Sequence, residues 1–226
     1  MTFNPFDAGA GIIVVVGHYG SGKTEISLRL ALMAAGLGER TTLVDLDIVN
    51  PFFRSAEKLD LMAESGVEMV CPPYALTGVD LPVLSAQVDA CFDRPGVKIF
   101  DVGGDDAGAA ALGRFKPRFD AFRHEMYYVV NAFRPFSRKP CQVIEMMSRV
   151  QARSRLNITA MINNSNLGDE TTAQDVLSGQ KLLDEVTEAT GIKTLCACCL
   201  TRVRAGLPAD MPVITMERLL KPEWMM

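Results

Sequence analysis

Short apolar runs alternate along the chain with segments whose apolar residues recur at helical spacing. The first run, residues 12 to 16 (IIVVV), leads into a segment from about residue 22 that places Ile26, Leu30 and Met33 on one face and stops near Gly36-Leu37-Gly38. A second strand is expected over 41 to 47 (TTLVDLD), a helix over 55 to 65, and a short strand over 67 to 71 closed by Pro72-Pro73. A helix over 81 to 92, a buried strand over 97 to 102 and an alanine-rich helix over 107 to 115 follow. Strand patterns return at 126 to 131, 158 to 164, 194 to 199 and 212 to 216, with helices over 139 to 154 and 172 to 190 separating the first three. Strands that are apolar on both faces and alternate with helices predict an α/β three-layer sandwich: a mostly parallel sheet of about seven or eight strands, covered by helices on both faces. One domain spanning residues 1–226 accommodates all of it. Ligands in such folds bind beyond the carboxyl ends of the strands.

The first strand runs directly into Gly17-His18-Tyr19-Gly20-Ser21-Gly22-Lys23-Thr24, which fits the phosphate-binding pattern G-x-x-x-x-G-K-S/T. Gly17, Gly20 and Gly22 let backbone N–H groups, with that of Ser21, converge on a phosphate where a Cβ would block the approach. Lys23 is expected to reach the β- and γ-phosphates and Thr24 to offer its hydroxyl to Mg²⁺, while the following helix points its positive end at the anion.

Two further constellations fall at strand ends. Asp45-Leu46-Asp47 closes the second strand, and carboxylates at i and i+2 leave a strand on the same face, so both can address one Mg²⁺ or its waters. An acidic pair there also suits a turn or a helix cap. Asp101 ends an apolar strand in the Walker B manner, and Asp101-Val102-Gly103-Gly104 reads D-x-x-G, a turn whose N–H can sense a γ-phosphate. Asp105 and Asp106 suit the N-cap of the next helix.

With GHYGSGKTE, VDLDIVNP, FDVGG and ITAMINN in this order, the chain resembles the CobQ/CobB/MinD/ParA class of P-loop ATPases (SIMIBI class) over most of its length. The resemblance implies an ATP-dependent molecular switch with slow hydrolysis, cycling between ATP and ADP with Mg²⁺, and often a face-to-face homodimer that drives a protein partner. It assigns Asp47 to positioning the hydrolytic water, Asp101 to the Walker B role and Asn163 or Asn164 to the adenine edge. One departure is His18, which stands where the ParA/MinD branch carries a signature lysine; histidine is shorter and bears no permanent charge. Arg54 is the suggested substitute. Two other functions fit the same motifs: a small-molecule kinase or ligase, and a metallochaperone ATPase using Cys196, Cys198 and Cys199.

Composition adjusts this picture at its edges. The formal net charge of -4 speaks against a nucleic-acid binder, yet residues 114 to 155 hold ten Lys or Arg against three acids. That segment is either a docking face for an anionic partner or a set of solvated helix faces. Six scattered cysteines imply reduced thiols rather than a disulfide framework, and KTLCACCL also reads as a buried strand. No apolar stretch reaches the length of a membrane span and the N-terminus lacks a basic start, which predicts a cytoplasmic protein. The C-terminal MERLLKPEWMM suits packing on the sheet better than membrane insertion, because Pro222 interrupts a helix. CPPYALTGVDLP, 71 to 82, is expected to cover or line a groove near the nucleotide.

Overall fold

Along β1, Ile12–Gly17, successive side chains enter different cores: Ile12, Val14 and Val16 join one apolar cluster and Ile13 and Val15 the other. A strand can do this only when both sheet faces are covered. The computed structural model describes residues 5, 6, 9, 11–47, 56–71, 80–104 and 106–217. Arg54, Asp105, the C-terminal tail and most of the 71 to 82 segment lie outside the described residues.

The strands are β1, β2 (Thr41–Asp45), β3 (Val67–Val70), β4 (Val97–Asp101), β5 (His124–Val130), β6 (Ala160–Asn163), β7 (Thr194–Leu200) and β8 (Val213–Met216). They form one eight-stranded sheet in the order β3-β2-β4-β1-β5-β6-β7-β8, and every neighbouring pair is parallel. The helices are α1 (Lys23–Gly36), α2 (Ala56–Glu64), α3 (Asp80–Phe92), α4 (Asp106–Gly113), α5 (Lys116–Ala121), α6 (Pro140–Ser154) and α7 (Ala173–Thr190). Ile26, Leu30 and Ala34 of α1 and Met62 of α2 cover one face. Val88 and Phe92 of α3, Leu112 of α4, Phe119 of α5, Val143 of α6 and Leu183 of α7 cover the other. This is the α/β sandwich expected from the alternation, with an all-parallel sheet.

Local signals set the helix ends. Thr172 accepts a hydrogen bond from Asp175 N while the Asp175 carboxylate accepts from Thr172 N and Oγ1, and Gly191 closes α7 in the left-handed region. Accepting those bonds keeps the Asp175 carboxyl below its ordinary range. Helix α5 had no periodic signal, because six residues are too few to show one. It rests on aromatic packing: Phe119 is fully buried, edge-on to Phe92 at 4.9 Å and to Phe100 at 5.3 Å.

The basic excess between 114 and 155 is partly neutralised inside this layer. Arg118 pairs with Asp89 of α3 and with Asp93 just past its end, and Lys116 with Asp120 at 2.6 Å. Arg155 donates to the carbonyl of Gly113. Among the described residues no helix is long and apolar enough to cross a membrane.

Replacing Phe119 by Ala opens a cavity under Phe92 and Phe100, so we expect a loss of about 3–5 kcal/mol in a urea melt. The residue lies by His124 at the opening of β5, away from the carboxyl edge, and nucleotide affinity of the folded variant should not change.

Candidate functional site

Parallel register gathers the charged strand ends at one edge: Val15 and Asp45 both pair with Asp101, and Gly17 ends β1 beside them. Beyond β1 the chain turns through residues 17 to 24 into α1. Gly22 caps α1 at φ 91°, and an added Cβ would lie 2.2 Å from Asn164 Nδ2. Only glycine fits both the left-handed backbone and that approach. Asn164 Nδ2 donates to Ser21 O at 2.7 Å, fastening the loop to the end of β6. Helix α1 starts with no side-chain cap, so its first N–H groups and positive dipole end remain for a ligand. Ser21 Oγ is buried with no hydrogen-bond partner among the described residues.

Lys23 is 7% exposed and donates to the carbonyl of His18 at 3.3 Å. Gly104 packs directly on this loop, where an added Cβ would stand 2.7 Å from both Lys23 Nζ and Tyr19 N. The D-x-x-G turn and the phosphate-loop motif therefore touch backbone to backbone.

Three carboxylates stand beside them. Asp101 is fully buried and accepts hydrogen bonds from Ser27 Oγ at 3.1 Å and from the Thr24 hydroxyl. Burial pushes its pKa up to about 6, against the opposing pull of Thr24, Lys23 and Ser27. In Asp45, Oδ1 accepts from Asp47 N at 2.8 Å, while Oδ2 is buried and unpartnered among the described residues. Burial first, then the charge of Asp101, raises its carboxyl well above the ordinary range. Strand β2 ends at Asp45, two residues sooner than its apolar pattern suggests, so Asp47 lies past the pleat rather than on a shared strand face. The Asp47 carboxylate lies against Gly103, where an added Cβ would meet Oδ1 at 3.3 Å.

This donor set fits a hard divalent cation. A hydroxyl, two buried carboxylates short of positive charge and an orphaned oxygen converge on one edge. Among the described residues no three His, Cys, Asp or Glu side chains gather as a metal site, so a cation here would complete its shell from phosphate and water, as Mg²⁺ commonly does.

Next to the loop lies a cavity of about 180 Å³, walled by Gly20, Gly22, Arg134, Asn164, Asn166 and Leu200 among others. Asn163 is not in that wall: its Nδ2 donates to Val176 O at 3.0 Å and its Oδ1 accepts from Ser165 N. Of the two asparagines read from the sequence, Asn164 faces the site and Asn163 anchors α7. The sequence reading missed Asn131 and Asn166, which bond each other and join the loop after β5 to the loop after β6. Their one signal was an asparagine just past each of two strands. It missed Arg134 too, whose side chain lies against Gly20 although the two are far apart in sequence. Cys196 and Cys198 belong to one core and Cys199 to a separate cluster, all buried and free, and Cys198 and Cys199 both reach the cavity wall; among the described residues no three such side chains gather as a metal site.

No protein-family model and no curated protein matches the chain. Among solved structures it is similar to cell division protein FtsY from Thermotoga maritima, at 20% identity over 81% of this chain and 59% of that one, with a TM-score of 0.52. It is similar also to chloroplast FtsY from Physcomitrella patens, at 16% identity over 82% of this chain and 57% of that one, with a TM-score of 0.53. The signal recognition particle receptor FtsY from Elizabethkingia anophelis in complex with GDP is 20% identical over 81% of this chain and 55% of that one, with a TM-score of 0.50. The chain spans less than two thirds of the length of each of these relatives. The fold they share with it is that of the P-loop NTPases.

On this fold the raised carboxyl of Asp101 has a measurable consequence in the nucleotide-free, metal-free protein. Its folded pKa of about 6 lies above the ordinary 3.8, so the folded state binds the proton more tightly than the unfolded one. Stability from this group is therefore present at low pH and lost as the pH rises through about 6. Asp101→Asn should melt a few degrees above the wild type at pH 7, roughly 2–4 °C per kcal/mol recovered. The advantage should shrink toward pH 5, which thermal melts in the presence of a chelator will show.

Proposed function

We propose that this chain is a Mg²⁺-dependent ATP-binding protein with slow ATP hydrolysis, using the nucleotide state to switch its contacts with a protein partner or a second copy of itself. The observation that carries the reading is the meeting, at one edge of the sheet, of buried Lys23, buried Asp101 and the Gly104 backbone around a loop with an uncapped helix start. Lys23 and the N–H groups of residues 17 to 24 would hold the phosphates. Thr24 and Asp101 would hold Mg²⁺, directly or through water, with Asp45 beside them. Bound there, the cation would neutralise charge on the phosphates, and it would also relieve two carboxylates that burial alone disfavours. Asp47, half-buried against Gly103, would orient the attacking water by accepting its hydrogen bond. Gly104 lets the Walker B turn sit on the loop without displacing Lys23, so loss of the γ-phosphate would be felt in both segments at once.

Adenine rests on the likeness of GHYGSGKTE, VDLDIVNP and FDVGG to the CobQ/CobB/MinD/ParA ATPases and on the absence of an N-K-x-D sequence. Asn164 lines the cavity beside the loop, where a base would enter. A partner surface is supported by apolar residues exposed around the same edge: Tyr19 is 68% and Phe136 62% exposed. Free cysteines suit a cytoplasmic setting.

Lys23→Ala should weaken ATP binding about 100-fold or more, the loss of charge-assisted bonds to phosphate, as titration calorimetry will show. Asp47→Ala should bind ATP as the wild type does while releasing phosphate about 100-fold more slowly. Undiminished turnover in that variant would remove Asp47 from the chemistry. Size-exclusion chromatography with ATP, ADP and a non-hydrolysable analogue tests the switch, since an elution volume indifferent to all three would leave no self-association to drive.

A further inference from the structure

The octet from Gly17 to Thr24 supplies one lysine, and His18 gives it no second permanent cation. A triphosphate with its metal still carries more negative charge than one ammonium offsets. The structure brings a further cation to the loop from another element. The side chain of Arg134, in the segment between β5 and α6, lies over Gly20, where an added Cβ would be 3.5 Å from its Nε and 3.7 Å from its Cζ. Among the described residues Arg134 is the single Lys or Arg in the wall of the cavity beside the loop. Its side chain takes part in no ion pair among the described residues, although Arg118, Arg94 and Lys116 all do.

The segment that carries it is held on several sides. Arg134 N donates to Asn131 O at 3.0 Å, and Ser137 N donates to Arg134 O at 3.2 Å. Asn131 in turn accepts from Phe133 N and Asn166 N and donates to Asn166 O, and Ala132 N donates to Ser165 Oγ. Two residues beyond Arg134, Phe136 takes a φ of 65°, a backbone region that bulky side chains rarely occupy, and its ring packs on His18 at 5.6 Å. The segment therefore touches the loop twice, by Phe136 on His18 and by Arg134 on Gly20. Asn164 links the same loop to the asparagine-bonded turn after β6.

Resting on the nucleotide reading above, we infer that Arg134 is a polyphosphate-contacting residue of this site, a guanidinium delivered from the β5–α6 segment to serve beside Lys23. Guanidinium suits the task because its planar donors can bond a phosphate oxygen and its charge does not titrate in the physiological range. Glu25 and Glu217 share the cavity wall, yet Arg134 makes no ion pair among the described residues, so its side chain is available when the anion arrives. Asn131 bonds the backbone from which Arg134 reaches.

Titration calorimetry with Mg·ATP, Mg·ADP and adenosine, on the wild type, Arg134→Ala and Arg134→Lys, tests this. Arg134→Ala should weaken ATP and ADP about tenfold or more, leave adenosine within about twofold, and melt without ligand at the wild-type temperature, since it removes an exposed side chain that makes no ion pair among the described residues. Arg134→Lys should recover ATP affinity to within about threefold, because charge is retained while the fork is lost. The ATP affinity of the wild type should also fall more steeply with salt than that of Arg134→Ala. Equal ATP affinity in the wild type and Arg134→Ala overturns the assignment, as does an equal loss for ATP and adenosine, which would place the side chain on the base or sugar. A wild type that binds ATP together with an unaffected Arg134→Ala removes this inference alone. A wild type silent to every nucleotide removes the site reading itself.

Discussion

Charge held out of water at one edge of a parallel sheet organises this molecule. Asp45 and Asp101 pair across neighbouring strands, both buried, with Lys23 close enough to lower the proton affinity of Asp101 but not enough to cancel its burial. Such a cluster is poorly satisfied alone. It persists because the strands beneath are fixed by two apolar cores, so the carboxylates cannot swing into solvent without breaking the ladder.

The rest of the site follows from that frame. Because β1, β2 and β4 run parallel and adjacent, their carboxyl ends lie side by side, and the Gly104 backbone can lie directly on the phosphate-type loop. On the other flank, β5 and β6 emit loops joined by Asn131 and Asn166 and fastened to the first loop through Asn164. The cavity lies between the first loop, the loops after β5 and β6, and the ends of β7 and β8. Gly104 thus meets the first loop through its backbone, while the flank of β5 and β6 is tied to that loop by short asparagine side chains.

Much of this was legible along the chain. All eight strands appear as apolar runs, since a parallel sheet buried on both faces leaves little room for polar residues. The motif from Gly17 to Thr24 and the strand-ending Asp101 were readable because their chemistry depends on neighbours in sequence. Asn163 and Asn164 were not separable from one dimension: β6 ends between them, and one side chain turns into α7 while the other meets Ser21. Asp47 looked like a strand-face partner of Asp45 until the strand proved to stop at Asp45. The cysteine triplet resolved in the same way, as strand alternation sends Cys199 to the opposite face from Cys196 and Cys198.

What the sequence by itself determined were the elements and the local chemistry: period, glycine spacing and strand-terminal carboxylates are short-range facts set by side-chain size, charge and backbone freedom. What only the tertiary structure decided was which distant groups meet. Arg134 over Gly20, Gly104 on Lys23 and the bonds between Asn131 and Asn166 depend on strand order and register. Those are outcomes of packing two whole cores at once, and no window along the chain contains them.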